Sequence, residues 1–440
     1  MSSTLIIIVC VVAILVFMFL GAPLVIAMGM AGILGLFLDG GVAGLSVLQT
    51  TIFGSLAKFT LVAVPLFMLM GEIIFRSGIG ADLFHVLNRV LRRVPGGLAI
   101  ATVIACAIFG AMCGVSIAAV ASIGVVALPE MLKRGYDPKL AAGAVCAPGA
   151  LAMLIPPSLL FILYGEMAHE SVAKLFTAGV LPGILMALLM VGYIFFMSII
   201  PSKSKGASAS VKDIGEPVTL REAVGFVKKL WAPFLLIVAV LGSIYAGIAT
   251  PTESAAIGCV GAYFIAFVIY RRMNWSIFRE TLISSARITC VIMFVFVGAV
   301  VFTQVLSLLR VPDVFSEYIV SLGASPWMTM ILIQLALVLM GMFVDGASMV
   351  LITTPIFLPT MVAMHWDPIW FGVLMITNIN IAVITPPVGL NLYTLASLTK
   401  DVDIETILKG TLPYVVVEFI ALIILIAFPQ ISLWLPSMMK

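Results

Sequence analysis

Two proline pairs interrupt long apolar stretches of the chain, at Pro156-Pro157 and at Pro386-Pro387. Such a pair removes two backbone donors and clashes with the preceding turn, so no α-helix continues through it. Each break leaves carbonyl oxygens without helical partners, and hard cations prefer oxygen ligands. We predict that Na⁺, and no other metal, binds through carbonyls and hydroxyls there. The candidate residues are Ile155, Pro156, Pro157 and Ser158 at the first break, and Thr385, Pro386, Pro387, Val388 and Asn391 at the second.

The same breaks offer a place for an anion. A helix that restarts after Ser158, and another after Val388, would each point its N-terminus at a break, and helix N-termini attract anions. No Lys or Arg occurs in residues 94–132 or 311–399. We therefore expect a carboxylate held by helix ends and co-bound Na⁺, in a substrate pocket that offers no Lys or Arg.

The composition predicts the class of protein. Of the 440 residues, 63% are hydrophobic and only 10% are charged, and the mean hydropathy is +1.26. A soluble domain has about 25% charged residues, so the chain is predicted to be an all-α polytopic membrane protein. The six cysteines and three histidines show no paired metal-ligand spacing. We predict no enzyme activity, and no cofactor besides Na⁺ as a coupling ion.

Four segments are predicted to build the site. Segment 97–133 is apolar, shorter than the roughly 40 residues that two crossings need, and has small residues at its middle. It is predicted to be a re-entrant helical hairpin, and 326–364 repeats it. Broken helices are predicted at 137–169 and 367–398, where an interrupted helix must line a cavity or be buried in protein. Further candidate residues on these segments are Gly114, Ser116, Asp345, Gly346, Ser348, Asn378 and Asn380.

The second half of the chain repeats the first with a fixed offset. Met112 and Met342, like the two proline pairs, are 230 positions apart (342 − 112 = 230; 386 − 156 = 230). An ordered series of such matches indicates an internal repeat. We place an N-terminal half at 1–200, a C-terminal half at 230–440, and a polar cytoplasmic linker at 201–229 between them.

Charges at the bases of the hairpins predict that the repeat is inverted. The first base is basic and the second is acidic, so the positive-inside rule places the first in the cytoplasm and the second outside. Counting spans from there gives about ten crossings, both termini in the periplasm, and an inverted-topology repeat. The deciding residues are Arg89, Arg92, Arg93, Lys133 and Arg134 at the first base, and Asp313, Glu317 and Asp367 at the second, where Arg310 is the only cation.

Several polar residues also have a structural interpretation. Asp345 lies in an apolar hairpin, where an ionisable group indicates function, and capping the outgoing helix is the alternative. Glu253 fits a capping box that begins at Thr250. Glu72 is expected to pair with Lys58 or with a partner subunit. For Asn378, Asn380 and Asn391, hydrogen bonds to freed backbone are the alternative to substrate contacts.

With these residues and motifs the chain resembles a known family, the large membrane subunit of tripartite ATP-independent periplasmic (TRAP) transporters. The resemblance covers essentially the whole chain. The stretches that carry it are IPPS (155–158), GIATPTE (247–253), MFVDG (342–346), TPIFLP (354–359) and TPPVGLN (385–391).

The resemblance implies a function. It implies Na⁺-driven secondary import of a small organic anion, such as a C4-dicarboxylate or a sugar acid, across the bacterial inner membrane. The expected partners are a periplasmic substrate-binding protein and a small four-helix membrane subunit on a separate chain. The expected mechanism is an elevator, in which hairpins and broken helices move against a fixed scaffold.

The chain departs from the family at the tip of the first hairpin. The family usually has a Ser-Gly-Ser-Ser sequence there, whereas this chain has Cys113 and Val115 at two of the hydroxyl positions and keeps Ser116. Two other classes are considered beside the TRAP interpretation. One is a Na⁺/dicarboxylate symporter that needs no binding protein, and the other is a channel or a membrane scaffold.

Overall fold

The computed structural model describes residues 2–199, 220–321, 323 and 325–439, and the described residues form helices without strands. The helices before residue 200 are α1 (Ser3–Phe19), α2 (Leu24–Leu56), α3 (Ala63–Arg76), α4 (Ile79–Val90), α5 (Gly97–Cys113), α6 (Ser116–Lys133), α7 (Pro138–Leu154), α8 (Leu159–Ala168) and α9 (Val172–Ile199). Those after it are α10 (Leu220–Tyr245), α11 (Pro251–Phe264), α12 (Trp275–Leu308), α13 (Val311–Ser321), α14 (Pro326–Gly341), α15 (Gly346–Ala363), α16 (Pro368–Val383), α17 (Leu390–Leu398), α18 (Ile404–Ala427) and α19 (Gln430–Ser437).

From α4 onward the second half repeats the first, helix for helix. Helix α4 corresponds to α13, the pair α5–α6 to α14–α15, the pair α7–α8 to α16–α17, and α9 to α18. Both hairpins and both broken helices therefore lie where the sequence predicts them. Of the predicted linker, residues 201–219 lie outside the described residues. Helix α10 already begins at Leu220, ahead of the predicted boundary at 230.

Two hydrogen bonds show that the broken helices run in opposite directions. The Tyr164 hydroxyl, late in α8, donates to the Pro368 carbonyl at the start of α16 (2.6 Å). The Asn391 amide, early in α17, donates to the Cys146 carbonyl in the middle of α7 (2.9 Å). The end of one broken helix thus meets the beginning of the other, as an inverted repeat requires.

The two broken helices form the core of the molecule: Ala141–Leu154 of α7 and Trp370–Val383 of α16 are buried throughout. Nine helical stretches of the described chain are long and apolar enough to cross a membrane, where about ten were predicted. In the stretch Pro138–Ala168, 89% of the residues in its most apolar part are buried, while in the other eight stretches the share is 50% or less. Large apolar side chains such as Leu188 and Phe196 of α9 are exposed instead. The protein is a multi-pass membrane protein whose lipid-facing helices surround the two broken helices.

Glycines allow α18 to approach α7 closely. A Cβ atom on Gly410 would lie 2.1 Å from the Lys139 carbonyl oxygen, and one on Gly143 would lie 2.2 Å from the Gly410 carbonyl oxygen. Backbone atoms cannot move aside as the end of a flexible side chain can. The contact between these helices therefore depends on having no side chain at either position.

Gly410→Leu is expected to destabilise the purified protein strongly, because the leucine must push two backbones apart. Overpacking against side chains alone costs about 1–3 kcal/mol. Gly192→Leu in α9 is the matched control, since a Cβ there meets no atom of another helix within 4 Å. Thermal unfolding in detergent should show a lower midpoint for Gly410→Leu and an unchanged one for Gly192→Leu. Equal midpoints for both variants would contradict the close packing of α18 on α7.

Candidate functional site

Each hairpin tip contacts the break of its own half. At the first tip Gly114 has φ +64°, and a Cβ atom there would lie 2.6 Å from the Pro157 carbonyl oxygen. At the second, the Val388 amide donates to the Met342 carbonyl (3.1 Å). With the offset of 230, Gly114 and Pro157 correspond to Val344 and Pro387, within two positions of Met342 and Val388, so the fold builds a similar junction of tip and break twice.

Contacts between the halves join the two junctions. The Ser116 hydroxyl of the first hairpin donates to Asn391 Oδ1 at the start of α17 (2.6 Å), and both residues are buried. A Cβ atom on Gly346 of the second hairpin would lie 2.6 Å from Ile379 and 3.4 Å from Leu160, the second residue of α8. Each hairpin therefore contacts the helix that restarts in the other half.

Hydroxyl groups bind the carbonyls next to the breaks. Ser158 Oγ donates to the Met153 carbonyl (2.5 Å) and Thr385 Oγ1 donates to the Ile381 carbonyl (2.6 Å). A hydroxyl oxygen that donates its proton keeps lone pairs, and a carbonyl oxygen has two. Both groups therefore keep acceptor capacity for a cation, and the oxygens are neutral.

The restarting helices begin close to where the sequence predicts them. Helix α8 follows Ser158 directly. Helix α17 follows Gly389, one residue later than predicted, and Gly389 has a left-handed φ of 36°. The glycine completes the turn between Val388 and the helix, since left-handed backbone costs glycine little.

Asp345 caps a helix. Its carboxylate accepts hydrogen bonds from the amides of Ala347 and Ser348 (both 3.1 Å) and from the Ser348 hydroxyl (2.5 Å). The capping interpretation of Asp345 is confirmed, and its role as a cation ligand stays a prediction. The capping box of Thr250 and Glu253 is also confirmed.

The amides predicted near the second break separate into two groups. Asn391 accepts a hydrogen bond from Ser116 and so belongs to the cluster that the two hairpin tips form with the two breaks. Asn378 Nδ2 instead donates to Gln334 in α14, and Asn380 Nδ2 lies 3.8 Å from Met186 Sδ in α9. The Oδ1 atoms of Asn378 and Asn380 are buried without a hydrogen-bond partner in the described part of the chain. Asn378 and Asn380 thus contact α14 and α9, and neither takes part in the hydrogen bonds that join the tips and breaks.

The first hairpin tip is closed on itself where it departs from the family. The Cys113 thiol is buried and donates to the Val115 carbonyl (3.5 Å). A Cβ atom on Gly71 of α3 would lie 2.8 Å from the Cys113 carbonyl oxygen. The oxygens at this tip therefore come from Ser116 and from the backbone.

The predicted pairing of Glu72 with Lys58 is wrong. Glu72 accepts from Arg76 Nε (3.1 Å), one turn along the same helix, and from the Ser284 hydroxyl (2.9 Å). Lys58 lies at the other end of that helix and pairs with Glu166 of α8. Lys58 and Glu166 also line a cavity beside the first broken helix, away from the predicted site residues. The tertiary fold brings this cation in from a distant part of the sequence.

Two ionisable residues of the interior were missed from the sequence. Glu166 is 8% exposed. Glu418 of α18 is fully buried, and neither oxygen of the Glu418 carboxylate is hydrogen-bonded to any described residue. Ionisable residues inside predicted spans are functional hypotheses by default, and that signal was available for both.

Re-entrant hairpins that meet helix breaks at the centre of an inverted repeat define a secondary transporter. The chain belongs to the tripartite ATP-independent periplasmic transporter family, DctM component, whose family model matches residues 11–431. The resemblance noted in the sequence is thereby confirmed. Members of this family are permease subunits rather than enzymes, and they work with a small membrane subunit and a periplasmic binding protein.

Individual relatives agree with this assignment. The chain is 35% identical over 390 residues to the C4-dicarboxylate TRAP transporter large permease protein DctM of Pseudomonas aeruginosa, covering 89% of each chain. It is 31% identical over 418 residues to the isethionate TRAP transporter permease protein DctMQ of Oleidesulfovibrio alaskensis, covering 95% of this chain and 64% of that protein. The crystal structure of the Alcanivorax borkumensis YdaH transporter shares the fold, with a TM-score of 0.63 at 14% identity over 88% of this chain and 89% of the other.

Proposed function

We propose that the chain imports a small organic anion, a C4-dicarboxylate, a sugar acid or a similar carboxylate, together with Na⁺. The observation that carries this proposal is the cluster of two tips and two breaks, which presents carbonyl and hydroxyl oxygens of both halves. Neutral oxygens suit a monovalent cation, because they add no fixed negative charge that would repel an anionic cargo. Two equivalent junctions favour at least two cation sites.

The restarting helices suit the anion. Helices α8 and α17 both begin at a break, so their N-termini provide partial positive charge there. A co-bound cation and these helix ends together balance a carboxylate. Import of the anion is thereby coupled to import of the cation.

An elevator is the proposed mechanism. The bond from Ser116 to Asn391 and the contact of Gly346 with Leu160 join hairpins and broken helices of opposite halves. Elements joined in this way are suited to move as one body. Helices α1 to α3 and α10 to α12 then form the scaffold.

The proposed location is the bacterial inner membrane, with both termini and Asp367 in the periplasm. Lys205, which lies outside the described residues, is then cytoplasmic. In a cysteine-free background, an impermeant maleimide added outside should label a cysteine at position 367 and label one at 205 only after permeabilisation. Outside labelling of 205 with protection of 367 would reverse the orientation.

Concentrative uptake is the test of the function. The chain, its small subunit and its binding protein are reconstituted in liposomes under an inward Na⁺ gradient and offered labelled succinate, malate and sugar acids. We expect at least one carboxylate to accumulate above its outside concentration. Ohmic currents without accumulation would instead identify a channel.

A further inference from the structure

Lys58 and Glu166 form an ion pair between two parts of the protein that are 108 positions apart in the sequence (166 − 58 = 108). Lys58 lies between α2 and α3, and Glu166 lies near the end of α8. The Glu166 side chain is 7% exposed, whereas that of Lys58 is 40% exposed. The carboxylate is therefore enclosed while part of the lysine faces open space.

Both residues line a cavity of about 430 Å³ between α2, α8, α12 and α15. Lys58, Glu166 and His169 are the ionisable side chains among its lining residues. The Thr303 hydroxyl is buried and has no hydrogen-bond partner among the described residues. Sites for small ligands occupy about 300–1,000 Å³ and combine apolar walls with a few polar groups. The other polar lining residues are Thr50, Thr51, Ser55, Gln304 and Ser307.

Lys58 keeps donors for a second partner. An ammonium group has three N–H donors, and one carboxylate does not use all of them. Glu166 fixes the position of the ammonium and offsets part of its charge. The exposed side of Lys58 is then a cationic ligand of moderate strength, which can bind an anion and release it again.

We propose that this cavity is a second site for the carboxylate of the cargo, in addition to the one at the breaks, with Lys58 as its cationic ligand and Glu166 as a positioning residue. The inference rests on the proposed function in that the cargo is a carboxylate. Glu166 follows Ser158 by eight residues, about 12 Å along a helix. The anion at Lys58 thus lies apart from the tips and breaks, at a site of its own beside the first broken helix.

The two charges of the pair have opposite effects on an anion in this cavity. Lys58→Ala removes the ligand and should weaken binding about tenfold or more, the worth of one charge-assisted hydrogen bond. Glu166→Gln removes the neighbouring negative charge and should tighten binding. If the ion pair is purely structural, Lys58→Ala and Glu166→Gln should change binding in the same direction, because the loss of either partner breaks the pair.

The experiment measures binding and uptake on the same reconstituted complex. In a cysteine-free background, Ser55→Cys places a thiol in the cavity wall, and protection from a methanethiosulfonate reagent by succinate reports occupancy. Lys58→Ala, Lys58→Arg and Glu166→Gln are compared, with Lys174→Ala as the control. Lys174 is an exposed lysine in the first turn of α9 that does not line the cavity.

The expected result is a half-protecting succinate concentration raised about tenfold or more by Lys58→Ala, raised less by Lys58→Arg, lowered by Glu166→Gln and unchanged by Lys174→Ala. The succinate concentration for half-maximal uptake should follow the same order. If the unsubstituted complex accumulates succinate while Lys58→Ala and Glu166→Gln shift protection in the same direction, or not at all, the inference is wrong and the proposed function stands. If the unsubstituted complex accumulates no carboxylate, the proposed function fails, and the inference fails with it.

Discussion

Replacing Pro386 and Pro387 together by alanine is expected to abolish uptake while the protein still inserts into the membrane. Alanine restores the two backbone donors and favours helix, so α16 can continue through residues 384–389. The carbonyls that we assign to Na⁺ would then bond within the helix. The junction between Val388 and Met342 would also be lost. The double substitution of Pro156 and Pro157 should act in the same way, since Pro157 contacts the other tip.

Pro233→Ala provides the control for both double variants. Pro233 lies inside α10, which continues as a helix on both sides of it, and it belongs to neither break. Its replacement should leave uptake and membrane insertion intact. Insertion is measured by the amount of folded protein recovered in detergent, and uptake by Na⁺-driven accumulation in proteoliposomes. Normal accumulation by either double variant would refute the role that we give to the breaks.

Omitting the binding protein or the small subunit is expected to reduce uptake to the level of empty liposomes. The chain belongs to a family of tripartite transporters, and we propose that its cargo arrives bound to a periplasmic protein. Adding back the missing component should restore uptake. We expect a large loss of uptake because, in this proposal, the permease receives its cargo only from the binding protein.

The same measurement separates the proposal from its nearest alternative. A Na⁺/dicarboxylate symporter that works without a binding protein would accumulate succinate from free solution. Undiminished uptake without the binding protein would therefore favour that class. Free succinate at high concentration serves as the control for slow, undelivered entry.

The backbone plan was readable from the sequence because it depends on local rules. Proline pairs at 156 and 386 end helices wherever they occur. The offset of 230 then placed the second hairpin and the second broken helix without further assumptions. Capping at Thr250 and Asp345 also followed from residues within three positions of each other.

The pairing of side chains depended on tertiary packing and was harder to predict. Lys58 and Glu72 are close in sequence but lie at opposite ends of one helical stretch, so they do not meet. Lys58 instead pairs with Glu166, and Ser116 with Asn391, 275 positions away. Periodicity and spacing carry no signal for contacts at such distances. The cation beside the first broken helix was missed for this reason.

The coupling ion is the centre of the account. If two Na⁺ ions accompany an anion with one negative charge, each cycle moves one net positive charge inward. A membrane potential that is negative inside then contributes about 2.3 kcal/mol per net charge per 100 mV. Proton coupling would instead require a carboxylate that titrates during the cycle. Asp345 and Glu253 are both engaged as helix caps.

Uptake under separately imposed gradients tests most directly whether Na⁺ is the coupling ion. Liposomes with the complete complex are given either a Na⁺ gradient at equal pH or a pH gradient in Na⁺-free buffer. We predict accumulation of the carboxylate with the Na⁺ gradient alone. For a cargo with fewer negative charges than the Na⁺ ions carry positive, we predict more accumulation when valinomycin and K⁺ impose a potential that is negative inside. Accumulation driven by the pH gradient without Na⁺ would contradict the assignment of both breaks as Na⁺ sites.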